Sequence, residues 1–158
     1  MAAILPAHHE FPILGRAYFL GGRASTSVRR ALVDAGVEES TISRVSVACY
    51  EAEMNVVLHA QSGHVEVDIE PDRVVVCVQD HGPGIEDIEL AMTPGWSSAS
   101  EEARSLGFGA GMGLPNMHRQ ADRMEVTSTP GQGARVEMTF LRPGAPLGGD
   151  DSDRPGNG

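Results

Sequence analysis

Residues 40–60, STISRVSVACYEAEMNVVLHA, are apolar almost all the way round a helical wheel. Ile42, Val45, Val47, Ala48, Ala52, Met54, Val56, Val57 and Leu58 leave no continuous polar stripe, so this helix is expected to be buried. Ser40 is placed to cap its start, and Gly63 follows its end. Glu51 and Asn55 interrupt the apolar surface four residues apart and share one helix face. An ionised carboxylate buried without a partner costs on the order of several kcal/mol, so something must compensate. One reading is a Mg²⁺ site, with Asn55 offering a neutral oxygen and Glu51 standing beside it as a base. The other is that both side chains hydrogen-bond to neighbouring backbone or to Arg44. His59 continues the stripe and reads as a satisfied buried histidine, and no His/Cys cluster has the spacing of a transition-metal site.

Upstream of this helix, His9 to Phe19 reads as a strand that Pro12 confines to a sheet edge. Gly21-Gly22 breaks it, and Ser25 to Ala35 reads as a helix ended by Gly36. Downstream, Val65, Val67 and Ile69 alternate with Glu66, Asp68 and Glu70, the pattern of a strand with one buried and one wet face. Pro71-Asp72 turns the chain, and the valine-rich Arg73–Gln79 reads as a central strand that delivers Asp80. A short helix is expected over Glu86–Met92 and another over Leu114–Ala121. Met124–Ser128 and Ala134–Leu141 close the order as a hairpin around Pro130-Gly131-Gln132-Gly133. This order fits an α+β fold, a two-layer sandwich of helices on one face of a mixed sheet. The expected domain is 9–142, after an N-terminal extension at 1–8. The acidic segment 143–158, PGAPLGGDDSDRPGNG, is expected to be a disordered tail.

A chain of 158 residues, 41% hydrophobic, suffices for one domain core without metals or disulfides. The net charge of −10 argues against nucleic acid as a partner. Cys49 and Cys77 lie in apolar runs without CxxC spacing, which fits core thiols in a reducing compartment. With no apolar run long enough to span a membrane and no basic-then-apolar N-terminus, a soluble cytoplasmic protein is expected.

Two further segments carry chemistry. In Asp80-His81-Gly82-Pro83-Gly84-Ile85, an acceptor at a strand end stands beside glycines that let a flat ring approach the backbone. It fits an adenine amino group, or an ordinary turn that Asp80 caps. Gly107-Phe108-Gly109-Ala110-Gly111-Met112-Gly113-Leu114 places four glycines at alternate positions before a helix, leaving N–H groups free for an anion. A flexible linker is the plain alternative, but Phe108, Met112 and Leu114 between the glycines argue against it. No Lys follows, so this is not a Walker-type loop.

Taken together in this order and spacing, the three motifs resemble the ATPase superfamily shared by gyrase, Hsp90, sensor histidine kinases and MutL, over about residues 10–141. The wording YEAEMNVVLHA, DHGPGIEDIELAM and GFGAGMGLPNM is similar to the small serine/threonine kinases that act as anti-sigma factors or partner-switch regulators. The resemblance implies the Bergerat ATP-binding fold, with ATP and Mg²⁺ as cofactors. It also implies Glu51 as general base, Asn55 as Mg²⁺ ligand and Asp80 as adenine partner. Gly82, Gly84, Ile85, Gly107, Gly109, Gly111, Met112, Gly113 and Leu114 would line the nucleotide, and Glu86–Leu106 would form a lid carrying Trp96. The implied activity is phosphorylation of a serine on a regulatory protein, an antagonist or a sigma factor. The alternative is an ATP-dependent module that sequesters such a partner without chemistry. Dimerisation is common in the group. One departure stands out: Ala134 follows Gly131-Gln132-Gly133 where the superfamily usually has Thr, leaving Thr127 or Thr129 as the nearby substitutes.

Overall fold

Strand alternation decides which face of the sheet the helices cover. Val65, Val67, Ile69, Val74, Val76, Met138 and Phe140 are each fully buried, while His8, Glu10, Glu125 and Thr127 are exposed. The structure, a computed structural model, describes residues 6–96 and 113–144. Its five strands are β1 (Ala7–Leu14), β2 (Ser62–Ile69), β3 (Arg73–Asp80), β4 (Arg123–Thr129) and β5 (Gly133–Leu141), in the order β1-β2-β3-β5-β4. All four pairings are antiparallel, so the sheet of this two-layer sandwich is not the mixed one the element order suggested. Connections from β1 to β2, from β2 to β3 through Pro71-Asp72 and from β4 to β5 join neighbours, while the one from β3 to β4 crosses over, leaving β5 to pair between them antiparallel to both.

The helices are α1 (Arg23–Asp34), α2 (Glu39–His59), the short α3 (Ile88–Ala91) and α4 (Gly113–Gln120). Helix α2 packs between α1 and α4 over the sheet. Its core residues are buried as its composition requires, although Val47 and Tyr50 remain exposed on its outer side. It begins at Glu39, with no side-chain cap from Ser40. Cys49 is in this core, and burial, with Glu53 nearby, pushes its thiol up to about 12. Cys77 is also buried but lies on the face away from the helices, on the rung between Glu66 and Glu137.

β1 is an edge strand, as Pro12 demands, but it starts at Ala7 and ends at Leu14 rather than spanning residues 9–19. The pairing with β2 stops where Gly15 donates its N–H to the Gln61 carbonyl. Arg16 then takes a left-handed φ of 62° and donates its N–H to the Val57 carbonyl. That turn sends residues Tyr18–Leu20 into a 3₁₀ turn instead of further strand.

At the far end of the sheet, Arg142 closes the domain. Its side chain, 3% exposed, donates to both Glu38 oxygens at 2.8 and 3.0 Å and to the Glu70 carbonyl at 2.9 Å. Hydrogen bonds from Arg142 hold the Glu38 carboxyl below its ordinary value. Burial pushes the Asp122 carboxyl up, but hydrogen bonds from Arg44 and the Leu141 N–H outweigh it and leave that group low as well. A carboxyl depressed in the folded state contributes stability above its unfolded value and loses it as pH falls through the folded one. Urea unfolding is therefore expected to show stability falling as pH drops below the ordinary values of 4.5 for Glu38 and 3.8 for Asp122. Arg142→Met is expected to cost about 2 kcal/mol at neutral pH, because the Glu70 carbonyl is left unpaired while the half-exposed Glu38 regains water. The same variant should flatten the acid limb.

Candidate functional site

The buried carboxylate on α2 is Glu53, not Glu51. Glu53 is 2% exposed, and it accepts from Gly22 N–H (2.8 Å), Ala24 N–H (3.3 Å) and Ser25 N–H (2.7 Å). These are N–H groups at the start of α1, where Gly22 has φ 99° and no side chain of α1's own caps them. Glu53 thus supplies from a neighbouring helix both the missing acceptors and a negative charge at a helix N-terminus. Sequence reading passed over it because YEAEMN carries two glutamates and only Glu51 has the spacing to Asn55. The Gly-Gly turn ahead of a helix without a cap residue was the available signal.

Glu51 is half-buried and turns the other way, toward α4. Its Oε1 accepts from Asn116 Nδ2 at 3.2 Å. Arg44, the alternative partner for Glu51 and Asn55, is engaged elsewhere: its guanidinium donates to the Gln120 carbonyl at 2.9 Å and to Asp122 at 2.7 Å, and lies 5.8 Å from the Phe140 ring centroid. Asn55, one turn beyond Glu51, faces the first residue of α4. A Cβ at position 113 would stand 3.0 Å from Asn55 Oδ1, a tight approach that the glycine relieves. Among the described residues the Asn55 amide has no hydrogen-bond partner. The end of the glycine run and the polar stripe of α2 therefore meet at Asn55 and Glu51. Gly107, Gly109, Gly111 and Met112 lie outside the described residues. Leu114 is 5% exposed and its side chain belongs to the core.

Asp80 ends β3 at the other side of α2's last turn. Its Oδ1 accepts from Gly82 N–H and Ala134 N–H, both at 3.0 Å. Oδ2 has no hydrogen-bond partner among the described residues. Gly82 lies against α2's end: a Cβ there would come within 2.8 Å of Ala60 Cβ and 3.1 Å of the His59 carbonyl. Gly84, at φ 79°, sits under the β4–β5 hairpin, where a Cβ would be 2.8 Å from Ser128 Oγ. Ile85 N–H donates to that hydroxyl at 2.7 Å, and the hydroxyl donates to the Gly133 carbonyl at 3.3 Å. Gly133 itself, at φ 136°, has no room for a side chain against the Asp80 carbonyl. The hydroxyl beside this turn is thus Ser128; Thr127 and Thr129 are exposed. Ala134 contributes its backbone N–H to Asp80. His59 is half-buried, and burial followed by the charge of Arg16 holds its imidazole below the ordinary value, with Asp80 opposing.

Within Glu86–Leu106, α3 is shorter than expected and is capped by Asp87, whose Oδ1 accepts from Leu90 N–H at 3.0 Å; Trp96 is 38% exposed. Residues 97–106 lie outside the described residues.

The order of motifs and the architecture both point to one family, and residues 22–140 match the histidine kinase-like ATPase domain. The chain belongs to the histidine kinase-like ATPase family. An anti-sigma F factor of Caldanaerobacter subterraneus subsp. tengcongensis is 37% identical over 114 residues, which cover 69% of this chain and 75% of that protein. Serine/threonine-protein kinase RsbT of Bacillus subtilis is 30% identical over 105 residues, covering 63% of this chain and 73% of RsbT. Among solved structures, the RsbU and RsbW domains of Rv1364c from Mycobacterium tuberculosis superpose with a TM-score of 0.58 at 17% identity, over 89% of this chain and 34% of that one. At that identity the likeness shows the fold alone, and this histidine kinase-like ATPase domain spans about a third of the longer protein. No helix among the described residues is long and apolar enough to cross a membrane.

Proposed function

We propose that this chain is an ATP- and Mg²⁺-dependent serine/threonine kinase of the anti-sigma, partner-switch type, acting on a serine of a regulatory protein. The observation that carries the proposal is the junction of α2 with α4, where Glu51 faces Asn116 and the Asn55 amide faces Gly113. The family membership and the relatives named for anti-sigma F and for RsbT kinase activity support it.

Adenine would lie over the Asp80 turn, with the carboxylate accepting from its exocyclic amino group. Gly82, seated against Ala60, and Gly84, seated under Ser128, allow the close packing that shapes this turn, and Ile85, its N–H bonded to Ser128, would border the ring. The phosphates would meet the N–H groups of Gly107–Gly113 and the start of α4. The donor chemistry fits Mg²⁺: a neutral amide oxygen on Asn55, without a partner among the described residues, suits a hard cation that prefers oxygen and keeps part of its water. When bound, the metal would neutralise developing charge on the phosphate oxygens. Glu51 would orient the incoming serine hydroxyl and accept its proton, and Asn116 would hold the carboxylate for that task.

Glu51→Gln keeps the size and the Asn116 contact but removes the base. Incubation of purified wild type and variant with Mg-ATP and the captured partner protein should show phosphoserine formation falling about 10²–10⁴-fold in the variant, with ATP affinity within a few-fold of wild type. Undiminished transfer would remove Glu51 from the reaction. If the partner is captured in an ATP-dependent manner that ignores Glu51, and no phosphate is transferred, the chain is a sequestering module instead.

A further inference from the structure

The register of β1 against β2 stacks three cross-strand pairs on the sheet face away from the helices: His8 with Asp68, Glu10 with Glu66, and Pro12 with His64. The middle pair opposes two carboxylates directly, an arrangement that costs stability unless a positive charge lies between them. The groups able to supply ligands surround that pair. A ring nitrogen of His8 and one carboxylate oxygen each of Glu10 and Glu66 lie within 4.8 Å of one another. His64 Nε2 stands 3.7 Å from Glu66 Oε1 and 4.0 Å from Glu10 Oε1. His8 Nδ1 is held at 2.6 Å by Asp68 Oδ1, the arrangement by which an outer carboxylate fixes the tautomer and orientation of a metal-binding imidazole and leaves Nε2 for the ion.

We propose that His8, Glu10, His64 and Glu66 form a zinc-type divalent cation site that bridges β1 to β2, with Asp68 as its positioning residue. The donor set is two imidazoles and two carboxylates. That set selects zinc-like ions over magnesium or calcium, which take oxygen alone. The side chains are only partly shielded, Glu10 being 56% and His64 30% exposed, so an ion here would keep access to solvent. The site is separate from the nucleotide region, and its consequence is mechanical: the ion would pin the edge strand to its neighbour. It is invisible in the sequence because its ligands come from two strands more than fifty residues apart.

The test is titration of Zn²⁺ into the intact, nucleotide-free chain, followed by calorimetry, with Co²⁺ as a spectroscopic probe. One ion per chain is expected, with a rise in melting temperature that millimolar Mg²⁺ does not reproduce. Glu66→Gln and His64→Gln should each weaken Zn²⁺ at least about tenfold, and Asp68→Asn about 10–100-fold, all with near-normal folding in the absence of metal. The Co²⁺ form should lack thiolate-to-metal absorption, since neither Cys77 nor Cys49 is in the ligand set. Failure of the folded wild type to bind Zn²⁺ saturably would overturn the site. So would affinity unchanged in all three variants, or a thiolate band.

Discussion

Glu53→Ala is expected to destabilise the domain by about 3–5 kcal/mol, read by urea unfolding followed by circular dichroism. The carboxylate satisfies three N–H groups at the start of α1. Each buried donor left unpaired costs about 1–3 kcal/mol. The total falls below the plain sum because Gly22 is half-buried and water can reach it. Loss of the charge at the helix start adds to the deficit. Glu53→Gln keeps one oxygen acceptor but turns an NH₂ donor toward another donor, so it should cost less than alanine and more than a surface change. A loss under about 1 kcal/mol for alanine would show that α1 is capped in another way.

Asp80→Asn is expected to leave the fold nearly intact and to weaken ATP about 10–150-fold. The Gly82 and Ala134 N–H groups converge on one oxygen, Oδ1, which asparagine retains. The change falls on the second position, where an acceptor becomes an NH₂ donor. Against an adenine amino group this removes a hydrogen bond to a charged acceptor, worth about 1.5–3 kcal/mol, or about 10–150-fold in affinity. Melting temperature close to wild type, together with the affinity loss, separates nucleotide recognition from support of the turn. Equal ATP affinity in the two proteins would mean that Asp80 serves the turn alone.

Much of the fold was legible because it rests on short-range pattern. The alternation of Val65, Val67 and Ile69 gave β2 its faces, and the valine run of Arg73–Gln79 gave the central strand. Pro12 gave the edge. Where reading failed, long-range geometry decided. The β1 strand ends at Leu14 because Gly15 and Arg16 bond to carbonyls near the end of α2, which no local signal contains. Strand direction depends on how the hairpins stack, so the all-antiparallel sheet was not fixed by element order. At the site, spacing correctly put Glu51 and Asn55 on one helix face, and the structure sets that face against Asn116 and Gly113. Spacing could not tell which glutamate the core encloses, because that depends on which neighbouring helix each one meets. Nor could it find that the hydroxyl near the Asp80 turn is Ser128, since strand alternation turns Thr127 and Thr129 outward.

The most direct test is calorimetric titration of ATP, with and without Mg²⁺, into the intact chain and into Asp80→Asn. One ATP per chain is expected, bound more tightly with Mg²⁺, and an affinity at least about tenfold lower in the variant. A folded wild-type chain that binds no ATP saturably, or a variant that binds it equally well, would contradict this expectation.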